Sequence, residues 1–292
     1  MQSVLALLKT MRPKQWTKNG FLFAALLFDV KLFRPNYVVQ TLAGFILFCL
    51  VSGVVYTMND LVDIEKDREH PTNRSRPLPS GQLPAKFALT AAIVIAAASM
   101  IGAFLLSPGF ALILGGYLVL QIAYSFYLKN IVLLDVMAIA AGFVLRVAAG
   151  ALLVNAERFS PWLYLCMTLL ALFLGLGKRR GELVLLGENA QNHRESLQYY
   201  TLPLMDQLIG VVTSATISGY ALYTFSAPNL PTNHTMMLTI PFVIYGIFRY
   251  LYLVHAKGTT LAPDEVLITD RAMQIDILLW ILAVAAVFYI GK

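Results

Sequence analysis

Residues 39–81 read VQTLAGFILFCLVSGVVYTMNDLVDIEKDREHPTNRSRPLPSG. The first twenty, up to Met58, form an almost unbroken apolar run. That length suffices for a helix to cross the hydrocarbon core of a bilayer, which takes about 20 apolar residues. The run passes directly into Asn59, Asp60, Asp63 and Asp67. Continued as a helix, Asn59, Asp63 and Asp67 stand four residues apart and Asp60 lies three before Asp63, so all four point to one side. Polar groups at the end of a membrane helix are costly and usually functional. Bases follow closely: Lys66, Arg68, Arg74, Arg76 and Lys86. Hard Mg²⁺ takes a few carboxylates plus phosphate oxygens. Arginine supplies the bidentate fork that phosphate prefers. Acids beside guanidinium groups therefore make a cradle for a magnesium-bridged diphosphate.

The rest of the chain supports a membrane setting. Its 292 residues are 58% hydrophobic and 13% charged, against roughly 25% charged in soluble domains. Mean hydropathy is +0.69. This balance excludes a soluble fold. The apolar stretches are continuous rather than alternating, which selects helices over a β-barrel. Nine spans are expected, at about 19–35, 39–58, 86–106, 109–128, 131–154, 160–177, 206–226, 235–254 and 273–290. They make one all-α polytopic bundle, a single transmembrane domain over 1–292. Asp29 and Lys31 interrupt the first span, and the amphipathic segment before it suits the membrane surface. Cys49 and Cys166 sit in apolar runs and read as small buried hydrophobes. The four histidines are too scattered for a zinc site. No cleavable signal peptide is expected.

Charge sets the orientation. Of the 22 lysines and arginines, 17 fall on the N-terminal side of this arrangement, four on the other, and Arg146 lies within a span. The positive-inside rule then puts the N-terminus and the 59–86 loop in the cytoplasm. Anionic lipid accounts for part of the basic excess, and no nucleic-acid partner is expected. The long polar loops 59–85, 178–205 and 255–272 share this side and carry nearly all the acids, so chemistry belongs on the cytoplasmic face.

Further constellations border that face. His70–Pro77 is an ordered, turn-rich loop whose Arg74 and Arg76 can reach a phosphate beside a metal. Tyr124, Ser125 and Lys129 end the fourth span, where aromatic anchoring and lysine snorkelling are the ordinary roles. Asp135 begins the next span. Arg146 lies about three turns further, deep enough to need an acid or an anionic substrate. In GKRRGEL from Gly177, Lys178 and Glu182 suit an i, i+4 ion pair. Alternatively, Lys178, Arg179 and Glu182 form a second polar wall for a diphosphate, with 192–201 as part of a lid. Near the start, RPKQWTKN places Lys14, Gln15, Lys18 and Asn19 within reach of a second phosphate. The acids of 263–271 read as solvated, with Asp270-Arg271 at the mouth of the last span.

NDxxDxxxD at the end of the second span, followed by HPTNRSRPLPSG, resembles the UbiA-type superfamily of membrane transferases along essentially the whole chain. RPKQWTKN, YSFYLKN with Asp135 following, RVAAG from Arg146, GKRRGEL and the Asp270-Arg271 segment narrow the resemblance. They match the branch whose donor is 5-phosphoribosyl 1-diphosphate and whose acceptor is a polyprenyl phosphate of the decaprenyl type. Prenyl-transferring members carry a second aspartate-rich motif after the sixth span, where this chain has KRRGELVLLGE. A basic second wall suits a donor with an additional phosphate. Asn73 departs from the pattern, since relatives often have lysine there.

The resemblance implies a Mg²⁺-dependent transfer of 5-phosphoribose to polyprenyl phosphate, releasing diphosphate for cell-wall arabinan synthesis. It implies Asn59, Asp60, Asp63 and Asp67 as metal-holding residues, with Asp60, Asp63, Asp67 and Arg76 at the chemistry. Lys14, Lys18, Arg74, Tyr124, Ser125, Lys129, Arg146, Lys178, Arg179 and Glu182 would bind substrate. Two other readings stay open: a UbiA-type prenyltransferase acting on an aromatic or quinone precursor, and a secondary transporter. A homo-oligomer is also left open.

Overall fold

The computed structural model describes residues 2–69, 73–156, 161–187, 195–227, 230–261 and 263–289. Among them there are helices and turns and no strand. They fall into two compact units. The first takes the described residues within Met1–Leu26, Lys31–Phe126 and Leu145–Glu157. The second takes those within Leu27–Val30, Tyr127–Val144 and Arg158–Lys292.

The first unit holds α1 (Gln2–Thr10), a 3-10 run Pro13–Phe23 and the start of α2 (Ala24–Phe28). It continues through α3 (Pro35–Val62), α4 (Ile64–Glu69), α5 (Ala85–Leu106) and α6 (Pro108–Phe126). The latter part of α7 (Leu134–Leu153) also belongs to it. Its core centres on Phe48 of α3, which meets Phe110 and Tyr117 of α6 at ring separations of 6.1 and 4.9 Å. Lipid-facing positions are apolar: Leu105 and Leu112, at 81% and 78% exposed, would be a severe liability in water.

Eight of the nine expected spans are helices long and apolar enough to cross a membrane. The first stretch, 19–35, differs. It is the end of the 3-10 run, the short α2 and a turn. Its contacts nevertheless trace a path along α3. Arg12 meets Asp60 near one end of that helix. Asn19 donates to Ser52 Oγ at 3.2 Å, and Phe23 packs on Phe45 at 5.6 Å. Lys31 lies over the Tyr37 ring and donates to the carbonyl of Val154 at 2.7 Å. Irregular backbone at membrane depth is tolerated where protein covers it. Gly150 provides that cover, because a Cβ there would collide with the carbonyl of Leu22. The interruption at Lys31 that weakens the apolar run is thus absorbed at its far end.

The second unit holds the start of α7, then α8 (Pro161–Leu186), α9 (Leu202–Ser226), α10 (Ile240–His255), α11 (Pro263–Thr269) and α12 (Arg271–Tyr289). The 3-10 turn Thr235–Thr239 extends α10. Aromatic packing links α9 to α12: Trp280 donates to the Tyr220 hydroxyl at 2.9 Å, and Tyr220 shares a hydrogen bond with Thr239. A close approach fixes α8, where a Cβ on Gly181 would strike the carbonyl of Thr260.

Candidate active site

The predicted acids gather at the end of α3, in the first unit. The helix does not run straight through them as the spacing suggested. Asp63 is its C-cap, with φ −95 and ψ 12, and α4 starts at the next residue. The break is mild, since Asp63 N–H still bonds to Asn59 and Asp67 N–H to Asp63. Asp60 and Asp67 are buried, at 2% and 6% exposed. Arg76 holds them together: one terminal nitrogen donates to Asp67 Oδ2 at 2.8 Å and to Asp60 Oδ1 at 3.3 Å. Asn73 donates to the other Asp67 oxygen at 2.8 Å. Its amide thus has a carboxylate partner where a lysine would bring charge.

Arg12 is the fifth member, and the sequence reading did not assign it to the site. Its Nη2 meets Asp60 Oδ1 at 2.5 Å, and its guanidinium lies 4.9 Å from the centre of the Tyr56 ring. Arg12 has a left-handed backbone, φ 53, at the corner between α1 and the 3-10 run. The signal was its place in RPKQWTKN, directly before Pro13. Of the other predicted residues in this unit, Arg74 and Lys14 are exposed and Lys18 is half-buried. Ser125 and Asn59 line one small recess between α3 and α6, together with Val55, Met58, Val62, Ile122 and Phe126. Tyr124 is half-buried on α6.

Arg146 lies deeper in the same unit. It is buried, donates from Nε to Asn19 Oδ1 at 2.7 Å, and donates from Nη2 to the Tyr117 hydroxyl at 2.9 Å. Asn19 was among the residues expected near a second phosphate, whereas Tyr117 had no distinguishing signal among the aromatics of its span.

The second predicted wall belongs to the second unit. Arg179 and Asp135 are both fully buried there, with Arg179 Nε donating to Asp135 Oδ2 at 2.7 Å. Arg179 also donates to Glu182 at 2.5 Å, so Glu182 pairs with Arg179 and the expected partner Lys178 is exposed. The Tyr200 hydroxyl donates to Asp135 Oδ1 at 2.7 Å and accepts from Leu133 N–H. Burial, with the Asp135 carboxylate adding to it, holds the Tyr200 phenol well above its ordinary range. Ser196 donates to the Lys129 carbonyl. Residues Glu195–Tyr199, part of the expected lid, are thereby tied to the 129–135 segment as a 3-10 turn. Positions 192–194 of that lid, and His70, Pro71 and Thr72 of the first loop, lie outside the described residues. Arg249 donates from Nη2 and Nε, along one guanidinium edge, to the two oxygens of Asp270 at 2.8 and 3.2 Å, and Asp270 also caps α12.

The chain as a whole has clear relatives among known proteins. The model of the UbiA prenyltransferase family matches residues 20–268. The chain belongs to that family. It is 33% identical to a decaprenyl-phosphate phosphoribosyltransferase of Corynebacterium glutamicum, over 97% of this chain and 87% of that protein. It is 32% identical to the enzyme of the same name from Mycobacterium tuberculosis, over 99% and 96%. In fold it is similar to a UbiA homolog from Archaeoglobus fulgidus bound to GPP and Mg²⁺, with a TM-score of 0.74 and 20% identity over 97% of this chain and 99% of that one. The chain is accordingly a multi-pass membrane protein of all-helical UbiA architecture.

Among the described residues, no three His, Cys, Asp or Glu side chains are gathered around one point. The donor set still fits a hard divalent cation. Asp60 and Asp67 both touch a single nitrogen of Arg76, which puts their oxygens close enough to share one ion after modest side-chain rotation. Asn59 and Asp63 lie on the adjoining turn.

Proposed function

We propose that this protein transfers 5-phosphoribose from 5-phosphoribosyl 1-diphosphate to a polyprenyl phosphate, releasing diphosphate. The observation that carries the reading is near full-length similarity to decaprenyl-phosphate phosphoribosyltransferases. The buried acid–arginine cluster at the end of α3 supports it. Membership in a transferase family favours an enzyme over a transporter. The absence of a second aspartate-rich motif from the 177–187 sequence counts against prenyl transfer to an aromatic acceptor.

In this mechanism Asn59, Asp60, Asp63 and Asp67 would hold a Mg²⁺ ion. A divalent ion there would neutralise charge developing on the leaving group. Arg76 and Arg12, which lie on Asp67 and Asp60, would bind the diphosphate oxygens. Such preorganised donors in a low-dielectric site contribute on the order of 3–4 kcal/mol each. The bond from C1 to the diphosphate oxygen breaks, and the acceptor's phosphate oxygen bonds C1 from the opposite face. The acceptor is already an anion and needs little help from a base. The product, a polyprenyl phosphoryl 5-phosphoribose, would feed cell-wall arabinan synthesis. The cytoplasmic face of a bacterial membrane suits a water-soluble, phosphorylated donor.

The test is product analysis by mass spectrometry with purified protein, Mg²⁺, phosphoribosyl diphosphate and mixed polyprenyl phosphates, with a prenyl diphosphate in competition. Asp63→Asn should abolish transfer while the protein still folds and inserts. Turnover of that variant at the wild-type rate would remove the acids from the metal role.

A further inference from the structure

Arg12 reaches the acids from a segment far from them in sequence, and one face of α3 holds it there. Gly53, Tyr56 and Asp60 stand at i, i+3 and i+7 on that helix, so they line a single stripe. The chain at Met11 and Arg12 lies along it. Met11, 2% exposed, fills the notch at Gly53, where a Cβ would collide with the Met11 side chain. The Trp16 indole N–H donates to the Met11 carbonyl at 3.2 Å. Arg12 N–H donates to the Lys9 carbonyl, and Gln15 N–H donates to the Arg12 carbonyl. These contacts fix an arginine in the left-handed region, φ 53, a conformation that persists where its surroundings over-determine it.

The guanidinium is held by a carboxylate and a ring. The carboxylate is Asp60, whose Oδ1 also receives Arg76. That oxygen belongs to the set that fits a divalent cation, so its hold on Arg12 weakens when it serves as a ligand. The ring is Tyr56, half-buried one turn back along α3. An aromatic face attracts a guanidinium within about 6 Å of its centre, and this one stands at 4.9 Å. The face carries no formal charge and offers no oxygen to a metal. It holds Arg12 without neutralising it. An acid in that place would cancel the charge, and an aliphatic side chain would leave the guanidinium to follow Asp60.

We propose that Tyr56 is a positioning residue of the transfer reaction, its ring seating Arg12 so that the guanidinium meets the leaving diphosphate after Asp60 has turned to the cation. The assignment rests on the reading of Arg12 as a diphosphate ligand and goes beyond it. It makes the aim of an N-terminal arginine depend on a side chain four residues before Asp60.

The test is a double-mutant cycle with full-length protein in lipid nanodiscs. Tyr56→Leu and Tyr56→Phe are made alone and on an Arg12→Gln background. Two quantities are read: kcat/KM for phosphoribosyl diphosphate, and the midpoint concentration of inorganic diphosphate, with Mg²⁺, that stabilises the protein against heat. The second needs no turnover. Tyr56→Leu should worsen both by about twofold to thirtyfold, the span of a cation–π contact from exposed to desolvated. KM for polyprenyl phosphate should stay near wild type. Tyr56→Phe keeps the face and should recover most of the loss. On Arg12→Gln neither substitution should matter further, because the ring then has no cation to seat. Equal losses from Tyr56→Leu with and without Arg12 would make Tyr56 a packing residue and overturn the proposal. A Tyr56→Phe as impaired as Tyr56→Leu would hand the role to the hydroxyl and overturn it too. If Tyr56→Leu does not fold, fluorinated phenylalanines at position 56 replace it, since each fluorine weakens the face and keeps the shape. Diphosphate stabilisation should then fall stepwise, and a flat series would sink the assignment. A wild-type protein that shows the cycle in diphosphate stabilisation but releases no diphosphate from phosphoribosyl diphosphate would refute the proposed donor and leave Tyr56 its role.

Discussion

At Asp60 two guanidinium groups converge on one carboxylate oxygen that is almost out of solvent. Asp135 is enclosed more completely, and its burial makes a contrasting prediction. Asp135→Asn leaves Arg179 charged at a site with no solvent exposure. Arg179 keeps its pair with Glu182, so the loss falls toward the lower end of the about 3–5 kcal/mol that breaking a buried pair costs. We expect low yield and a lowered melting temperature, whereas Tyr200→Phe, losing one hydroxyl from the same network, should cost about 1–3 kcal/mol. A melting temperature for Asp135→Asn equal to wild type would show that the pair contributes nothing. Asp270 gives a pH prediction. Hydrogen bonds from Arg249 hold its carboxyl below the usual carboxylate range. Its stabilisation is present above the ordinary carboxylate pKa and is lost as pH falls through the lowered one. Arg249→Met should therefore move the acid-unfolding midpoint to higher pH, read by tryptophan fluorescence.

Among the elements, the 3-10 run and α2 depend most on a single small residue. Gly150→Ala drives a methyl group into the backbone of Leu22, and overpacking of this kind costs about 1–3 kcal/mol. The strain falls on the segment that carries Asn19 and follows Arg12. KM for phosphoribosyl diphosphate should rise with it, while Gly116→Ala, with open space at its Cβ, serves as the control. Equal kinetics for the two variants would uncouple this segment from the site. The same element marks where sequence reasoning ran out. Continuous apolar runs made eight helices legible, because burial in lipid demands little beyond length. The first stretch was not legible, since its stability comes from Gly150, Ser52 and Val154, all distant in sequence. The acid motif was legible from its spacing. Its arginine partner at position 12 and the Tyr200–Asp135 tie were not, because each is formed by tertiary contact across dozens of residues.

For the whole molecule, orientation is the property most open to test. With Cys49 and Cys166 replaced, Ser80→Cys sits on an exposed turn after the acid motif and Asn36→Cys on the exposed first turn of α3. A membrane-impermeant maleimide should label Ser80→Cys only in inside-out vesicles and Asn36→Cys only in right-side-out ones. The reverse pattern would put the acids on the outer face and leave them without a cytoplasmic donor. The excess of basic residues on the side of the acids makes the first outcome the expected one. The acid mouth itself carries a further consequence. Because Arg12, Arg76 and Asn73 already satisfy Asp60 and Asp67, the fold there supplies its own counter-charge. Stripping the protein with a chelator should silence it without loosening it, so that it can be stored metal-free and restarted by adding back the cation.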